Sequence, residues 1–325
     1  DLISRVSKKS GRPATFTLFQ VDDWSDKWRQ AIELCAAAND SGAQVYPQVG
    51  SRPTGLVLSF ATYHPWMLKP SYLALKTLPL EERLQALRDP ALKAKLLREG
   101  NQADGVPMGS MEFGISHVEW VFENVFELYS TSNYEPLAQE SFGARAATSN
   151  LPPASLLYDH LVSGEDARAI VFFTNYSDFN LDAVREMQLS PTTVTGLSDA
   201  GAHVSLIFDA VNPTYQLTYW TRDRERGEKL PLPHVIHRAT RRNAELFGFT
   251  DRGLIAPGMR ADLNVIDYDN LNLGELTLTR DLPAGGSRLL QSAHGYALTM
   301  VNGVVTRRYD EDTGARPGTL LRSSA

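Results

Sequence analysis

A chain of 325 residues, 42% of them apolar and with 23 Gly and 18 Pro, can bury a sizeable core and does not have the composition of a disordered segment. Its formal net charge of -6 opposes binding to a phosphate backbone, which rests on clustered Lys and Arg releasing counterions. The single cysteine, Cys35, excludes an internal disulfide framework and any thiolate cluster for zinc or iron-sulfur. The opening DLISRVSKKSGR has no apolar signal core, and the longest apolar run, GLVLSFA, is far too short to span a bilayer. The expectation is a soluble, cytoplasmic protein with no nucleic-acid or membrane partner.

The first 250 residues read as strand followed by helix. ATFTLFQ (14–20) has a buried-strand pattern, a helix follows over about 25–39 with Cys35 as a small core residue, and AQVYPQV (43–49) is a second strand. RAIVFFTNY (168–176) is a third strand, followed by the helix NLDAVREMQL, and PTTVTGLSDA (191–200) is a fourth. Alternating strand and helix predicts parallel strands joined by crossovers. Between the second and third strands an insertion over roughly 60–150 reads as helical around EERLQALRDPALKAKLL and HVEWVFENVFELY. In the latter, Val118, Val121, Phe122, Val125 and Phe126 recur at helical spacing and are core or lid-packing residues. An eight-unit barrel needs about 250 residues, so four units amount to half of one.

A final helix, LPHVIHRATRRNAELFGF, carries His234 and His237 on one face, and TRDRERGEK (221–229) reads as a solvated loop. From Asp251 the texture changes to short strands and turns, with Pro257-Gly258 and Asn302-Gly303 as turn signals. The expected fold class is α/β: residues 1–250 form a partial (β/α) barrel with a helical insertion, and residues 251–325 a small β-sandwich.

Three segments resemble a known family. NAELFGFTDRGLIAPGMRADLNVIDYD is similar to the junction between barrel and β-sandwich in the amidohydrolase superfamily, and MVNGVV (300–305) to the closing hairpin of that sandwich. TGLSDAGAH (195–203) resembles the strand-eight motif of the N-acyl-D-amino-acid deacylase, or D-aminoacylase, branch. The resemblance implies the C-terminal part of a TIM-like (β/α)8 metal-dependent hydrolase barrel holding one or two zinc ions. The His-x-His pair usual on strand one of that family is absent from the seven histidines. Either the first barrel strands lie in a missing N-terminal segment or second chain, or the chain is a degenerate relative.

Asp199 follows the apolar strand TVTGL, so it stands at the end of a barrel strand, where such enzymes assemble their sites. The resemblance implies that it contacts the metal and shuttles a proton from the attacking water to the leaving amine; an N-cap aspartate is the structural alternative. His203, four residues on, is either a metal or substrate ligand or a loop-holding residue. Ser198 and Gly201 belong to the same loop and are read as substrate-binding. Ser198, Asp199 and His203 do not make a serine-hydrolase pattern, since G-L-S-D-A-G is not G-x-S-x-G.

Gln20 and Gln48 fall where the family places histidine ligands on strands five and six, and an amide is a poor replacement at zinc. Asp22 and Asp23 are alternative oxygen ligands or part of a solvated acidic loop. Arg52 points to the same barrel mouth and is read as a fork for the carboxylate of an N-acyl amino acid or as a salt-bridge residue. His64 and His117 flank the insertion as structural or lid residues. The function so implied is hydrolysis of a C-N amide bond in a small-molecule amide, and a homo-oligomer is compatible with it. The alternative is a metal-free relative acting as a non-catalytic binding or assembly subunit.

Overall fold

The structure, a computed structural model, describes residues 1–21, 26–117, 121–128, 133–196 and 201–321. Its strands in chain order are β1 (Thr17–Leu18), β2 (Gln48–Val49), β3 (Thr54–Leu58), β4 (Val125–Leu128), β5 (Arg168–Thr174) and β6 (Val194–Thr195). The later ones are β7 (Leu263–Ile266), β8 (Asn272–Leu282), β9 (Gly286–His294), β10 (Tyr296–Val301), β11 (Val304–Arg308) and β12 (Glu311–Asp312).

The expected parallel arrangement exists in the order β1-β2-β6, with Gln48 opposite both Thr17 and Val194. Backbone bonds from Val194 N to Pro47 O (2.9 Å) and from Gly196 N to Val49 O (3.1 Å) extend the ladder. Helix Lys27–Asp40 makes the crossover between β1 and β2, burying Trp28 and Cys35. Among the described residues the sheet has three strands, where four were expected.

The unit expected third, 168–176, is β5, and it pairs antiparallel with β3 on one side and β4 on the other. The reason for the difference is burial on both faces. Val57, Phe126, Ile170 and Phe172 point into one hydrophobic cluster, while Leu58, Val125, Ala169 and Val171 point into another. A strand covered on both faces reads as a continuous apolar run whether its neighbours are parallel or antiparallel. The run RAIVFF therefore could not disclose its partners.

The same sheet corrects the insertion. EERLQALRDPALKAKLL is helical, as helices Leu80–Leu87 and Pro90–Leu96, separated where the Asp89 carboxylate accepts the Ala91 N–H at 2.9 Å and Pro90 begins the second helix. HVEWVFENVFELY is not one helix: Met111–His117 is helical, Phe122–Asn124 forms a single 3-10 turn, and Val125–Leu128 is β4. Val125 and Phe126 are indeed buried, but on opposite faces of a strand, whereas Val121 is 55% exposed. Pairing with β5 overrides the helical spacing. The last predicted helix is likewise broken, into Leu232–Ala239 and Arg241–Leu246, at Thr240 with φ -122° and ψ -90°.

Beyond residue 251, β12-β11-β10-β7 form an antiparallel sheet, and β8 pairs with β9 as a ribbon. The Asn302-Gly303 signal makes the tight β10–β11 turn, with φ 52° and 76°. The ribbon packs into the first region: Leu276 and Leu289 join its core, and the Arg168 guanidinium donates to the Leu276 carbonyl at 3.0 Å. No helix among the described residues is long and apolar enough to cross a membrane.

Candidate functional site

A parallel sheet sends the segments after its strands to one side. Among the described residues these are Gln20 after β1, Gly50 to Arg52 after β2, and Gly196 after β6. Asp199, the expected proton shuttle, lies outside the described residues, as do Ser198, Asp22 and Asp23.

Gln20 is 1% exposed and fully engaged. Its side-chain nitrogen donates to Asp178 at 2.8 Å, and its backbone N–H to the Asn175 side-chain oxygen at 3.0 Å. Asn175, in the left-handed conformation at φ 63°, returns its own N–H to the Gln20 carbonyl at 2.8 Å. The Asn175 amide also reaches the Arg52 carbonyl at 3.4 Å, so one asparagine after β5 ties together the ends of β1 and β2. Gln48 is half-buried and donates to the Thr15 hydroxyl at 2.9 Å. The ring of Tyr46 lies under the Arg242 guanidinium, 4.7 Å from its centroid.

Arg52 is 2% exposed and ion-paired with Asp209. Its guanidinium carbon stands 4.0 Å from the Tyr134 ring centroid and 5.2 and 5.6 Å from those of Phe208 and Tyr215. Its Nε and Nη1 have no hydrogen-bond partner among the described residues. Burial opposes its charge, but the Tyr134 hydroxyl and the Asp209 carboxylate more than offset that, and its pKa is raised. Tyr215 stacks on Tyr219 at 4.8 Å, and the Tyr219 hydroxyl donates to Glu135. Burial first, and the Glu135 carboxylate second, raise the Tyr219 pKa and keep the phenol protonated.

Glu135, 2% exposed, also accepts from Arg224 at 2.9 and 3.1 Å and from the Leu181 N–H at 2.8 Å. Arg224 is 1% exposed, so TRDRERGEK is not simply a solvated loop. Its arginine is drawn inward because Glu135 and Asp182 supply carboxylates there, at 2.9 and 2.7 Å. No local pattern marks Asn175 or Asp209: their partners Gln20 and Arg52 lie 155 and 157 residues away in sequence.

Gly201 and His203 are exposed and both left-handed, with φ 89° and 46°. The His203 carbonyl accepts from Leu206 N at 2.7 Å and Ile207 N at 3.0 Å, which turns the chain after residue 200. Of the other histidines, His64 is wholly buried among Phe60, Trp66 and Tyr72, with neither ring nitrogen hydrogen-bonded among the described residues. His117 stacks on Phe113 and bonds its carbonyl at 2.9 Å.

The zinc implied by the resemblance does not fit the described residues. They contain no group of three His, Cys, Asp or Glu side chains able to hold a metal ion, and the amides of Gln20 and Gln48 are spent on protein partners.

The model of the amidohydrolase family matches residues 1–307. Comparison with curated proteins finds no match. Among solved structures, the chain is similar to N-acyl-D-glutamate deacylase from Bordetella bronchiseptica complexed with zinc and a phosphonate inhibitor. The identity is 18% and the TM-score 0.47, over 98% of this chain and 52% of that one. It is also similar to D-aminoacylase, at 15% identity and TM-score 0.45, over 96% of this chain and 50% of that one. The chain thus spans about half the length of these structures. On the match over residues 1–307, it belongs to the amidohydrolase family.

Proposed function

We propose that the complete protein hydrolyses a C-N amide bond, with N-acyl-D-amino acids as substrate class and Asp199 as proton shuttle. Membership of the amidohydrolase family carries the reading. The pairing of β6 in a parallel sheet supports it, because barrel enzymes place their chemistry in the loops after such strands, and Asp199 follows β6 by four residues. As base, the Asp199 carboxylate takes a proton from water while the water oxygen bonds to the acyl carbon. As acid, it returns that proton to the nitrogen when the C-N bond breaks, so a carboxylic acid and a free amine leave. Ser198, Gly201 and His203, close to Asp199 in sequence, are the proposed substrate contacts, and Arg52, whose buried Nε and Nη1 are unpartnered among the described residues, is the proposed fork for a substrate carboxylate once the complete protein opens a path to it.

Metal dependence belongs to the proposal only with further ligands from outside the described residues, to which this segment would add Asp199 and His203. A further N-terminal segment or second chain completes the barrel. The support for additional chain is the separate sheet β12-β11-β10-β7, in which no residue is buried and which such a segment would cover. Replacing Asp199 with Asn in the complete protein is expected to lower turnover of N-acetyl-D-amino acids by on the order of 10³-fold, with an unchanged circular dichroism spectrum; full activity ends the proposal. The engaged amide of Gln20 favours the rival, a metal-free non-catalytic subunit. Stoichiometric zinc in the purified complete protein would eliminate that rival.

A further inference from the structure

Residues Leu189 and Pro191, which lead into β6, form one wall of a cleft of about 450 Å³ whose other wall is the final helical segment, with His234, His237, Arg238, Arg242 and Glu245. Leu189 and Pro191 precede β6 in the chain, whereas Asp199 follows it in the sequence. Arg238 is 3% exposed, and each of its nitrogens meets a neutral oxygen: Thr195 Oγ1 at 3.1 Å, the Ser190 carbonyl at 3.1 Å and Thr193 Oγ1 at 2.9 Å. No carboxylate pairs with it among the described residues. The contrast is with Arg52 and Arg224, the other arginines this deeply buried, which have Asp209 and Glu135.

A buried guanidinium with only dipolar partners is held at a cost, because desolvation of its charge is not repaid by an opposite charge. Burial, and then the nearby Arg242, lower the Arg238 pKa to about 10. Arg242 is itself half-buried, gives the Pro191 carbonyl one long bond of 3.3 Å, and lies over Tyr46. The one carboxylate on the rim, Glu245, is occupied by Arg241 at 2.7 Å. Two guanidiniums and the imidazoles of His237 and of His234, the latter bonded to the Gln188 carbonyl at 3.0 Å, therefore line a cavity large enough for a small molecule, and its one lining carboxylate is paired with Arg241.

We propose that this cleft is an oxyanion-binding site, taking a phosphate or the phosphoryl group of a small organic molecule. Arginine forks match the spacing of phosphate oxygens, and the anion supplies the opposite charge that Arg238 lacks. Leu189 and Pro191 offer an apolar wall to the remainder of an organic phosphate.

The test is calorimetric titration of the purified protein with inorganic phosphate and with phenyl phosphate, together with thermal unfolding in phosphate and in chloride at equal ionic strength. The expected result is one site per chain and a higher melting temperature in phosphate than in chloride. Arg242→Gln should weaken binding about tenfold, the usual cost of one charge-assisted bond, and Arg238→Gln should abolish it. Arg242→Gln keeps the test decisive if Arg238→Gln does not fold. Tighter binding of phenyl phosphate assigns the cleft to an organic phosphate, and equal affinities assign it to the free ion. Affinity unchanged by Arg242→Gln marks an adventitious ion only and overturns the proposal, as does melting that is the same in phosphate and chloride. The outcome is independent of the reaction proposed at Asp199.

Discussion

The sheets β3-β5-β4 and β12-β11-β10-β7 use similar residues to different ends. In TGLVL and AIVFF on β3 and β5, Val57, Leu58, Ala169, Ile170, Val171 and Phe172 are at or below 2% exposure and divide between two clusters on opposite faces, and Phe173 near the end of β5 is exposed. YALTMV and VVTRR on β10 and β11 are no less β-branched and aromatic, yet none of their residues is buried, and Val265 on β7 and Val304 on β11 are 54% and 44% exposed. Strand propensity made both sheets, but only the first has a layer on each side. The lesson is that an apolar strand is evidence of a sheet, and its cover has to come from somewhere else in the polypeptide.

The comparison is broken most directly by truncating one large side chain in each sheet. Phe172→Ala in β5 should cost about 3–5 kcal/mol in chemical denaturation, because the ring is 2% exposed and the cavity collapses only in part. Val265→Ala in β7 should stay within about 0.5 kcal/mol. Equal losses would mean that the second sheet is covered in solution.

Ion pairs sharpen the same contrast. Removing Glu135 with Glu135→Ala leaves Arg224 buried beside only the exposed carboxylate of Asp182, and should cost about 3–5 kcal/mol. Asp312→Ala, which breaks a solvent-exposed pair with Arg316, should leave the melting temperature where it is. A large loss at Asp312 would show that the C-terminal sheet is more cooperative than its burial implies.

The smallest effect is titrational. Burial, and secondarily the Arg83 charge, hold His64 well below its usual pKa, so the folded state keeps it neutral. The unfolded chain binds a proton near pH 6.5, which means that stability is full above that pH and is lost as pH falls from it towards the depressed folded value. His64→Phe should therefore flatten the fall in stability below about pH 6.5 relative to the parent. Identical pH profiles for the two proteins would contradict the buried, neutral histidine.

Much of this was legible in the amino-acid order. The crossover helix with Cys35 and the Asn302-Gly303 hairpin follow from local spacing and turn chemistry, and of the strands expected at 14–20, 43–49 and 191–200 the structure contains the short cores Thr17–Leu18, Gln48–Val49 and Val194–Thr195. The motifs around 195–203 and 243–269 also pointed to the family that the match over 1–307 establishes. The loop at 197–200, where the catalytic expectation sits, lies outside the described residues.

What the sequence by itself determined is which segments are strands or helices wherever one side of the element is wet, since only then does alternation or helical spacing carry information. Tertiary structure decided the rest. It set the antiparallel partners of β5, turned Val125–Leu128 from a helical pattern into a strand, and buried Arg224 against Glu135 and Arg52 against Asp209. Each of these depends on a partner far along the chain, and a charge or a continuous apolar run does not name the residue that will meet it.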